Sequence, residues 1–482
     1  MKALLKLALP VLMLCSSSLS FGQTFNRTYD IGNYICNAGT VVPCADGTFV
    51  TFAAIYSAQE GGLIFYKINS SGDTLFTKRY WFPQRVILGA GNRSAHELSN
   101  GDIIYCGGIA DSGDVNRDFH IVHFNSNGDT IRTRELGTIL NDKANSLFVQ
   151  GDTLVIAVGY SLEANQTSTD IAVATYNIAT GTYNYHNIPY NGVQSAIAVD
   201  RFSNNEVIIG AKHGPDFFVL RYDWLGEQII WDTILPLTNS FAYVTVALSN
   251  KILVAGLIDE TSGGYDSKLY CLDSTGSVVW SRVYGNPSDD EFVTNNPIYD
   301  VASGRIYLTG VQSNAMGSDA AMIITCDTLG FSIYSSIIPS PNASGGVIYD
   351  SRALQSGFIL AGFNYANNGD VWLVRTDTAG CLVPGCLTNI SAVMNTVDAT
   401  LTVFPNPATE FLTIQLQTEE RTTGTLEVYG LSGQLVLRQQ VVFENYGSGV
   451  TVNIGELPNG LYSVVVRTTT SESFVKRFVK QN

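Results

Sequence analysis

Acidic side chains in predicted loops are the residues of this chain that best fit hydrolytic chemistry. Five of them fall in two loop segments: Asp259, Glu260, Asp289, Asp290 and Glu291. Glycoside hydrolysis needs two carboxyl groups about 5–10 Å apart across a pocket, and nothing in the sequence brings these acids around one. A solvated acidic rim is the simpler interpretation. The chain also has no glycine-rich phosphate loop and no nucleophile elbow.

Metal-ligand patterns are equally weak. His120 and His123 are three residues apart on a predicted strand, so their side chains should point to opposite faces. Asp114, Asn116 and Asp118 alternate as calcium ligands do, but the glycine and the terminal glutamate of that motif are missing. We therefore predict no metal site and no cofactor.

The cysteines indicate how the chain is cross-linked. Of eight cysteines, Cys15 lies in the predicted leader, which leaves an odd number in an oxidising compartment. Cys381 and Cys386 flank a Pro-Gly turn, and we expect a local disulfide between them. Cys36 and Cys44 are a second candidate pair, provided that Gly39 turns the chain back; the residues leave this pairing open.

Composition restricts the fold class and the partners. Only 14% of the 482 residues are charged, 45 are glycine and 45% are hydrophobic. This mixture, rich in Tyr, Phe, Thr and Asn, favours β-strands joined by tight turns and excludes a helical bundle or a disordered chain. A net charge of −15 argues against binding to nucleic acid or to an anionic membrane surface.

The first 22 residues have the layout of a secretory signal peptide. Lys2 and Lys6 precede an apolar run over residues 7–14, and small residues follow up to Gly22. A lipoprotein signal at Cys15 is disfavoured because Leu14 stands where a small residue normally precedes the lipidated cysteine. No later apolar run reaches about 18 residues, so we predict no transmembrane segment.

A hairpin signature repeats through the middle of the chain. It consists of Asp or Asn, two residues and then Gly, which is the chemistry of a type I turn that ends on a left-handed residue. The copies are 69–72, 125–128, 223–226, 273–276, 327–330 and 377–380, with one longer copy at 177–181. The period is about 51 residues, in the range of propeller blades.

Each unit contains four predicted strands, and seven such units can bury their faces by stacking around a ring. We therefore predict an all-β protein with a seven-bladed β-propeller over residues 23–386. Residues 24–31 resemble the fourth strands of other units, so we expect them to complete the last blade beside residues 370–376. An aspartate recurs at the position of Asp118 in the other units, which favours a structural role for it. The units resemble the long propeller repeats of exported bacterial proteins, and the copy from Asp266 to Trp280 matches best.

The segment that follows residue 386 has a different character. Residues 387–400 are predicted to be a linker, and residues 401–482 a small immunoglobulin-like β-sandwich of about seven strands. The segment opens with Pro405, Asn406, Pro407 and Ala408, continues with Asn459-Gly460-Leu461-Tyr462 before a strand, and ends with basic and apolar residues. Pro405 and Pro407 should mark the end of its first strand because neither can donate to a ladder.

These motifs, in this order, resemble the type A C-terminal sorting domain of the type IX secretion system of Bacteroidetes. The resemblance implies export to the cell surface or the extracellular space. It also implies two partners, the type IX secretion machinery and a sortase-like peptidase that removes the domain. Under this interpretation Pro405, Asn406, Pro407, Asn459, Gly460 and Tyr462 are recognition or folding residues of a secretion substrate, and none of them is catalytic.

The resemblance leaves the activity of the propeller open. Without a catalytic constellation, we expect a binding or scaffold module for a glycan or a protein. The alternative is a surface polysaccharide hydrolase or lyase acting at the central face of the propeller. Convergent carboxylates or an arginine cluster at the axis would favour the enzyme, and a flat or apolar face would favour binding. A quinone-dependent dehydrogenase is a third possibility, although only Trp280 fits the tryptophan pattern of such repeats.

Overall fold

The computed structural model describes residues 24–481, except 33, 57–60, 83, 112–114, 164–167, 191, 214–215, 236–241, 248–249, 260–263, 286–288, 315–318, 342–343, 367–368, 384–400, 417–421, 431–434, 444–448 and 469–472. The predicted leader and linker therefore lie outside the described residues.

Seven antiparallel sheets form the larger part of the molecule, and we number them as blades 1 to 7 in chain order. The chain opens with β1 (Phe25–Tyr29). Blade 1 contains β2 (Ile35–Pro43), β3 (Phe49–Tyr56), β4 (Gly61–Ile68) and β5 (Thr74–Trp81). Blade 2 contains β6 (Arg85–Leu88), β7 (Ala95–Glu97), β8 (Ile103–Asp111), β9 (Val115–Phe124) and β10 (Thr130–Leu136). Blade 3 contains β11 (Asp142–Gln150), β12 (Leu154–Leu162), β13 (Thr169–Asn177) and β14 (Tyr183–Ile188).

The remaining blades follow the same order. Blade 4 contains β15 (Gln194–Arg201), β16 (Glu206–His213), β17 (Asp216–Asp223) and β18 (Gln228–Leu235). Blade 5 contains β19 (Tyr243–Val246), β20 (Ile252–Asp259), β21 (Tyr265–Leu272) and β22 (Val278–Tyr284). Blade 6 contains β23 (Asp289–Val293), β24 (Ile298–Asp300), β25 (Arg305–Asn314), β26 (Asp319–Cys326) and β27 (Ser332–Pro339). Blade 7 contains β28 (Gly346–Leu354), β29 (Gly357–Asn364) and β30 (Val371–Thr376), with β1 as its outer strand.

The N-terminal strand closes the ring. Strand β1 pairs antiparallel with β30, from Phe25 opposite Arg375 to Tyr29 opposite Val371. This confirms the prediction that residues 24–31 complete the last blade. The indole N–H of Trp372 donates to Asn26 Oδ1 at 2.6 Å, and the Tyr29 hydroxyl donates to the Gly72 carbonyl of blade 1 at 2.8 Å. Each blade contacts its neighbours around the ring, so the fold is a seven-bladed β-propeller.

The repeated turns have the predicted chemistry. In the first copy the Asn69 side-chain oxygen accepts the backbone N–H groups of Ser71 and Asp73 at 2.9 and 2.8 Å, and Gly72 has a φ of +85°. The copy at 223–226 differs, because Glu227 rather than Gly226 takes the left-handed conformation there, with a φ of +53°. The general pattern holds because an Asx side chain and a left-handed residue settle the turn locally.

Seven further strands build a small β-sandwich. Its strands are β31 (Leu401–Phe404), β32 (Phe411–Leu416), β33 (Thr422–Gly430), β34 (Leu435–Phe443), β35 (Gly449–Asn453), β36 (Gly460–Thr468) and β37 (Ser473–Lys480). One sheet has the order β31-β32-β35 and the other β34-β33-β36-β37. A shared apolar core that includes Leu412, Val428 and Phe478 lies between them.

The motif residues of the sandwich have structural tasks. Strand β31 ends at Phe404, immediately before Pro405, as predicted. The Asn406 side chain accepts the Val479 N–H at 2.8 Å, which ties the opening segment to the last strand. Tyr462 is buried, stacks on Phe478 with ring centroids 5.5 Å apart, and donates its hydroxyl to the Pro458 carbonyl. Asn459 is exposed in the turn before β36.

The structure corrects one cysteine pairing. Cys36 and Cys44 are both free thiols. Gly39 does not turn the chain back; it lies at a bulge within β2, where the register shifts between Ala38 and Thr40. At about 3.3 Å per residue, the strand holds the two cysteines about 26 Å apart, whereas a disulfide needs Cα atoms within about 7 Å. Cys381 is disulfide-bonded. Its predicted partner, Cys386, lies outside the described residues, so that pairing stays a prediction.

Candidate functional site

The innermost strands of two blades are interrupted at the propeller axis. In blade 2, β6 and β7 both pair with β8, and residues 89–94 bulge out between them. In blade 6, β23 and β24 both pair with β25, and residues 294–297 bulge out in the same way. Because inner strands surround the axis of a propeller, both bulges project into the central channel.

The two bulges meet across the channel. The Asn92 amide donates to the Asn296 side-chain oxygen, which joins blades that are not neighbours in the ring, and both side chains are buried. The contact of blade 1 with this region depends on Gly39, since a Cβ there would overlap the Ala90 carbonyl oxygen. We call residues 89–94 and 294–297 the axial plug.

Arg93 extends from the axial plug. Its backbone has a φ of +52°, and its carbonyl accepts the Leu147 N–H of β11 at 3.1 Å. The nearest anionic group is Asp200, whose Oδ2 lies 3.8 Å from Arg93 Nη1, beyond hydrogen-bond length. Arg93 Nε is buried without a hydrogen-bond partner among the described residues.

Arg352 of β28 also lies at the axis and has three partners. Its Nε donates to the Val41 carbonyl at 3.1 Å, and its Nη2 lies 3.1 Å from Asp350 Oδ2 and 3.5 Å from the Ala95 carbonyl. Burial lowers the pKa of Arg352, while the Asp350 carboxylate opposes that effect. The side chain therefore holds blades 1, 2 and 7 together at the axis.

The two carboxylates at the axis are also engaged. Asp350 accepts the Thr40 hydroxyl at 2.6 Å, the Val41 N–H at 3.0 Å and the Ser351 N–H at 2.8 Å. The Asp200 oxygens accept two backbone N–H groups, those of Val246 and Arg201, each at 2.8 Å. Burial raises the pKa of Asp200, and the nearby Arg93 guanidinium lowers it again.

Two cavities lie at this level of the axis, and Arg93 and Arg352 border both of them. One, of about 330 Å³, is lined by blades 1 to 4 and includes His96 and Phe148. The other, of about 510 Å³, is lined by blades 5 to 7 and includes Tyr299. We call the two cavities together the axial funnel. Most of its wall is aliphatic, from residues such as Val42, Ala95, Leu147, Val149, Val199, Val246, Ile298 and Ala353.

Of the acids singled out in the sequence, Asp289, Asp290 and Glu291 do not line the axial funnel. Asp290 accepts the Tyr265 N–H at 2.8 Å, and the buried Glu291 accepts the Gln312 amide at 2.9 Å. Asp289 is the first residue of β23. Glu260 lies outside the described residues, and the structure does not describe the side chain of Asp259.

The two histidines of β9, His120 and His123, contact different residues. Burial lowers the pKa of His120 to about 3, and its ring packs edge-on against Phe82. His123 Nε2 lies 3.0 Å from Asp102 Oδ2. Across the ranges that the structure describes, no group of three His, Cys, Asp or Glu side chains is arranged to hold a metal ion.

The recurrent aspartates have local roles. Asp170 Oδ1 lies 3.4 Å from the Tyr190 N–H, in the segment that leads to the next blade. Asp118 is partly buried beside other acids: burial first, and then Asp142 and Glu135, raise its pKa to about 6. Asp142 itself accepts the Tyr185 hydroxyl at 2.8 Å.

Sequence reasoning missed the axial residues altogether. Arg93, Asp200 and Arg352 come from blades 2, 4 and 7, so no short motif contains them. A weaker signal was present in the spacing of the turn glycines. The interval is 56 residues from Gly72 to Gly128 and 54 from Gly276 to Gly330, and these two long intervals contain the two bulges of the axial plug.

Comparison with known proteins identifies the terminal segment. Residues 402–481 match the family model described as "Secretion system C-terminal sorting domain". Among solved structures, one titled "Structure of Dos1 propeller" is similar over 73% of this chain and 94% of that chain, with 12% identity and a TM-score of 0.41. No curated protein matches the chain.

Fold and sorting segment together define an exported β-propeller protein. The type IX sorting domain marks it for the cell surface or the extracellular space and makes the type IX secretion machinery its partner. Within the described part of the chain, no helix is both long and apolar enough to cross a membrane.

Proposed function

We propose that this protein is a surface or secreted binding module that takes a glycan or protein ligand in the axial funnel. The observation that carries the proposal is the funnel itself, two cavities of about 330 and 510 Å³ around an arginine with uncommitted donors. Ligand sites are typically concave, mostly apolar and equipped with a few well-placed polar groups. The axial funnel has these properties, and all seven blades contribute to its wall.

Binding is favoured over hydrolysis by the state of the axial acids. A hydrolase needs one carboxyl group to donate a proton and a second to attack or to activate water. Asp200 and Asp350 already accept hydrogen bonds from backbone N–H groups, and Asp350 also pairs with Arg352. An arginine cluster would favour an enzyme, but Arg352 is paired with Asp350, and of the two axial arginines only Arg93 keeps a buried N–H without a partner among the described residues.

A substitution that fills the axial funnel tests this proposal. Ala353 is exposed on the wall of the larger cavity, so Ala353→Trp fills the space without displacing core residues. The matched control is Ala179→Trp in the exposed turn of blade 3. We expect Ala353→Trp to weaken retention on a glycan and protein array by at least about tenfold, and the control to bind as the parent chain does. Equal binding by both variants would contradict the proposal.

A lyase is the second candidate, and His96 is the observation that favours it. His96 lines the smaller cavity, and although solvent reaches its side chain, the surrounding wall lowers its pKa, with Arg352 adding to the effect. The ring is therefore neutral at pH 7 and able to accept a proton, while Arg93 offers positive charge nearby. Release of unsaturated oligosaccharides by the parent chain, abolished in His96→Ala, would establish this function.

We further propose how the chain is processed. Residues 1–22 are the signal peptide, residues 23–386 the displayed propeller and residues 387–400 the linker. Residues 401–482 are then removed by a sortase-like peptidase. The single supporting observation is the match of the terminal segment to the sorting domain. Mass spectrometry of the protein recovered from the cell surface tests it: the proposal requires a C-terminus within or near the linker, and recovery of the intact sorting segment would contradict it.

A further inference from the structure

We infer that the axial funnel is a carboxylate site, in which Arg93 anchors a uronate residue of an acidic polysaccharide. The inference rests on the proposed function and specifies its ligand class. Four observations support it: the uncommitted donors of Arg93, its backbone conformation, the charge around it and the aromatic rings on either side.

The donors of Arg93 are the first observation. A guanidinium has five N–H donors in a planar fork, yet Arg93 has only the 3.8 Å approach to Asp200 among the described residues. Its Nε is buried without an acceptor. A buried unpaired donor is costly; Arg282 and Arg375 also keep a buried Nε without a hydrogen-bond partner among the described residues, but of the three only Arg93 borders the axial funnel. A bound carboxylate would supply the missing acceptors in the bidentate geometry that suits both groups.

The backbone at Arg93 is the second observation. A φ of +52° is uncommon for a residue with a side chain other than Asn or Asp, and it is disfavoured relative to glycine. The hydrogen bond to Leu147 and the contact between Asn92 and Asn296 hold the segment in that conformation. Such conformations concentrate at functional sites, where the surrounding structure enforces them. Here the conformation places the Arg93 side chain at the border of both cavities.

The charged groups around Arg93 limit the charge that a ligand can carry. Besides Arg93 and Arg352, the wall contains the carboxylates of Asp200 and Glu97, and Asp350 lies behind Arg352. Glu97 accepts the Ala45 N–H at 2.7 Å. Arg93 already forms an ion pair with Asp200 at 3.8 Å, and these groups together carry two positive and three negative charges, so each negative charge that a ligand brings adds to the repulsion. A planar monoanionic carboxylate therefore fits this site better than a dianionic phosphate ester.

The aromatic rings indicate a sugar. Phe148 is half-buried in the wall of the smaller cavity and Tyr299 in that of the larger one, on either side of the arginines. Flat apolar rings of this kind offer a face for the C–H surface of a pyranose, and the tyrosine adds a hydroxyl for hydrogen bonding. Each cavity is large enough for a sugar residue, so a chain crossing the funnel can place a uronate carboxylate at Arg93.

Calorimetric titration of the full chain tests the inference. The probes are oligosaccharides of galacturonate, glucuronate and mannuronate, their methyl esters, and a peptide with a free C-terminal carboxylate. We expect at least one uronate series to bind and its ester to bind at least about tenfold more weakly, the range of a hydrogen bond to a charged group. Arg93→Met should lose at least as much, and Arg93→Lys should recover only part of the affinity because it lacks the planar fork.

Two further variants separate a ligand role from a structural one. Arg134→Met removes an exposed arginine from the outer strand of the same blade and should leave binding unchanged. Arg93→Gly relieves the positive φ, so its melting temperature should equal or exceed that of the parent chain while uronate binding is lost. A purely structural Arg93 would instead lower the melting temperature in every variant.

The titrations distinguish failure of the carboxylate assignment from failure of the proposed function. If the esters or neutral oligosaccharides bind as tightly as the acids, and Ala353→Trp blocks them, the carboxylate assignment is wrong and the proposed function stands. If only the peptide binds, the sugar assignment is wrong. If no uronate, ester or peptide binds, or if Arg134→Met weakens binding as much as Arg93→Met, the inference is overturned.

Discussion

Phe25→Ala should weaken the propeller much more than its place on an edge strand suggests. The Phe25 side chain is only 6% exposed, lies in a core cluster with residues of blades 1 and 7, and meets the Phe49 ring with centroids 6.4 Å apart. Truncation of a buried phenylalanine costs about 3–5 kcal/mol. Because an edge strand can relax into the space, we expect about 3 kcal/mol of lost unfolding free energy.

The assay is chemical denaturation followed by tryptophan fluorescence. All five tryptophans precede residue 384, so the signal reports on the propeller alone, and Trp372 hydrogen-bonds to Asn26 of the closing strand. The matched control is Leu75→Ala on β5, where the side chain is 52% exposed and truncation should cost less than about 0.5 kcal/mol.

If Phe25→Ala and Leu75→Ala shift the unfolding free energy by the same amount within about 0.5 kcal/mol, then β1 does not contribute to ring closure through its buried side chains. A smaller loss, near 1 kcal/mol, is expected for Tyr29→Phe, which removes only the hydroxyl that bonds to Gly72.

Three other predictions concern packing, pH and export. Gly362→Ala should cost about 3 kcal/mol in thermal unfolding, since its Cβ would overlap the Val347 carbonyl oxygen, whereas Gly91→Ala, with open space around it, should be near neutral. Asp118→Asn should be more stable than the parent chain at pH 8 by about 1 kcal/mol after screening and equal to it at pH 4. The folded-state pKa of Asp118 is about 6, so the stability contributed by its protonated form is present below about pH 4 and lost as the pH rises to 6; parallel melting curves at both pH values would contradict this. Deletion of residues 401–482 should leave the propeller inside the periplasm in cell fractionation, and unchanged surface display would refute the sorting role.

The parts of the fold that depend on local chemistry could be predicted from the sequence. Asn69 and Gly72 specify their turn by themselves, and repetition of that turn gave the seven units. The closing strand was predictable because Phe25 and its neighbours resemble the fourth strands of other blades. Pro405 ended the first strand of the sandwich for an equally local reason, its missing N–H.

Features that depend on distant residues could not be predicted in this way. The axial funnel combines Arg93, Asp200 and Arg352, which only the closed ring brings together. A disulfide between Cys36 and Cys44 requires a turn at Gly39, but this glycine instead allows close approach of the backbone from blade 2. The resulting extended strand is what separates Cys36 from Cys44.

The proposed function requires that the propeller bind its ligand at the axis and leave the ligand intact. The most direct measurement incubates the purified full chain with a panel of acidic and neutral polysaccharides. It then determines both retention of the protein on each polymer and release of oligosaccharides by mass spectrometry. We expect retention on a uronate polymer, lost in Arg93→Met, with no released product. Release of oligosaccharides that depends on the funnel residues would contradict the binding role and make the protein an enzyme.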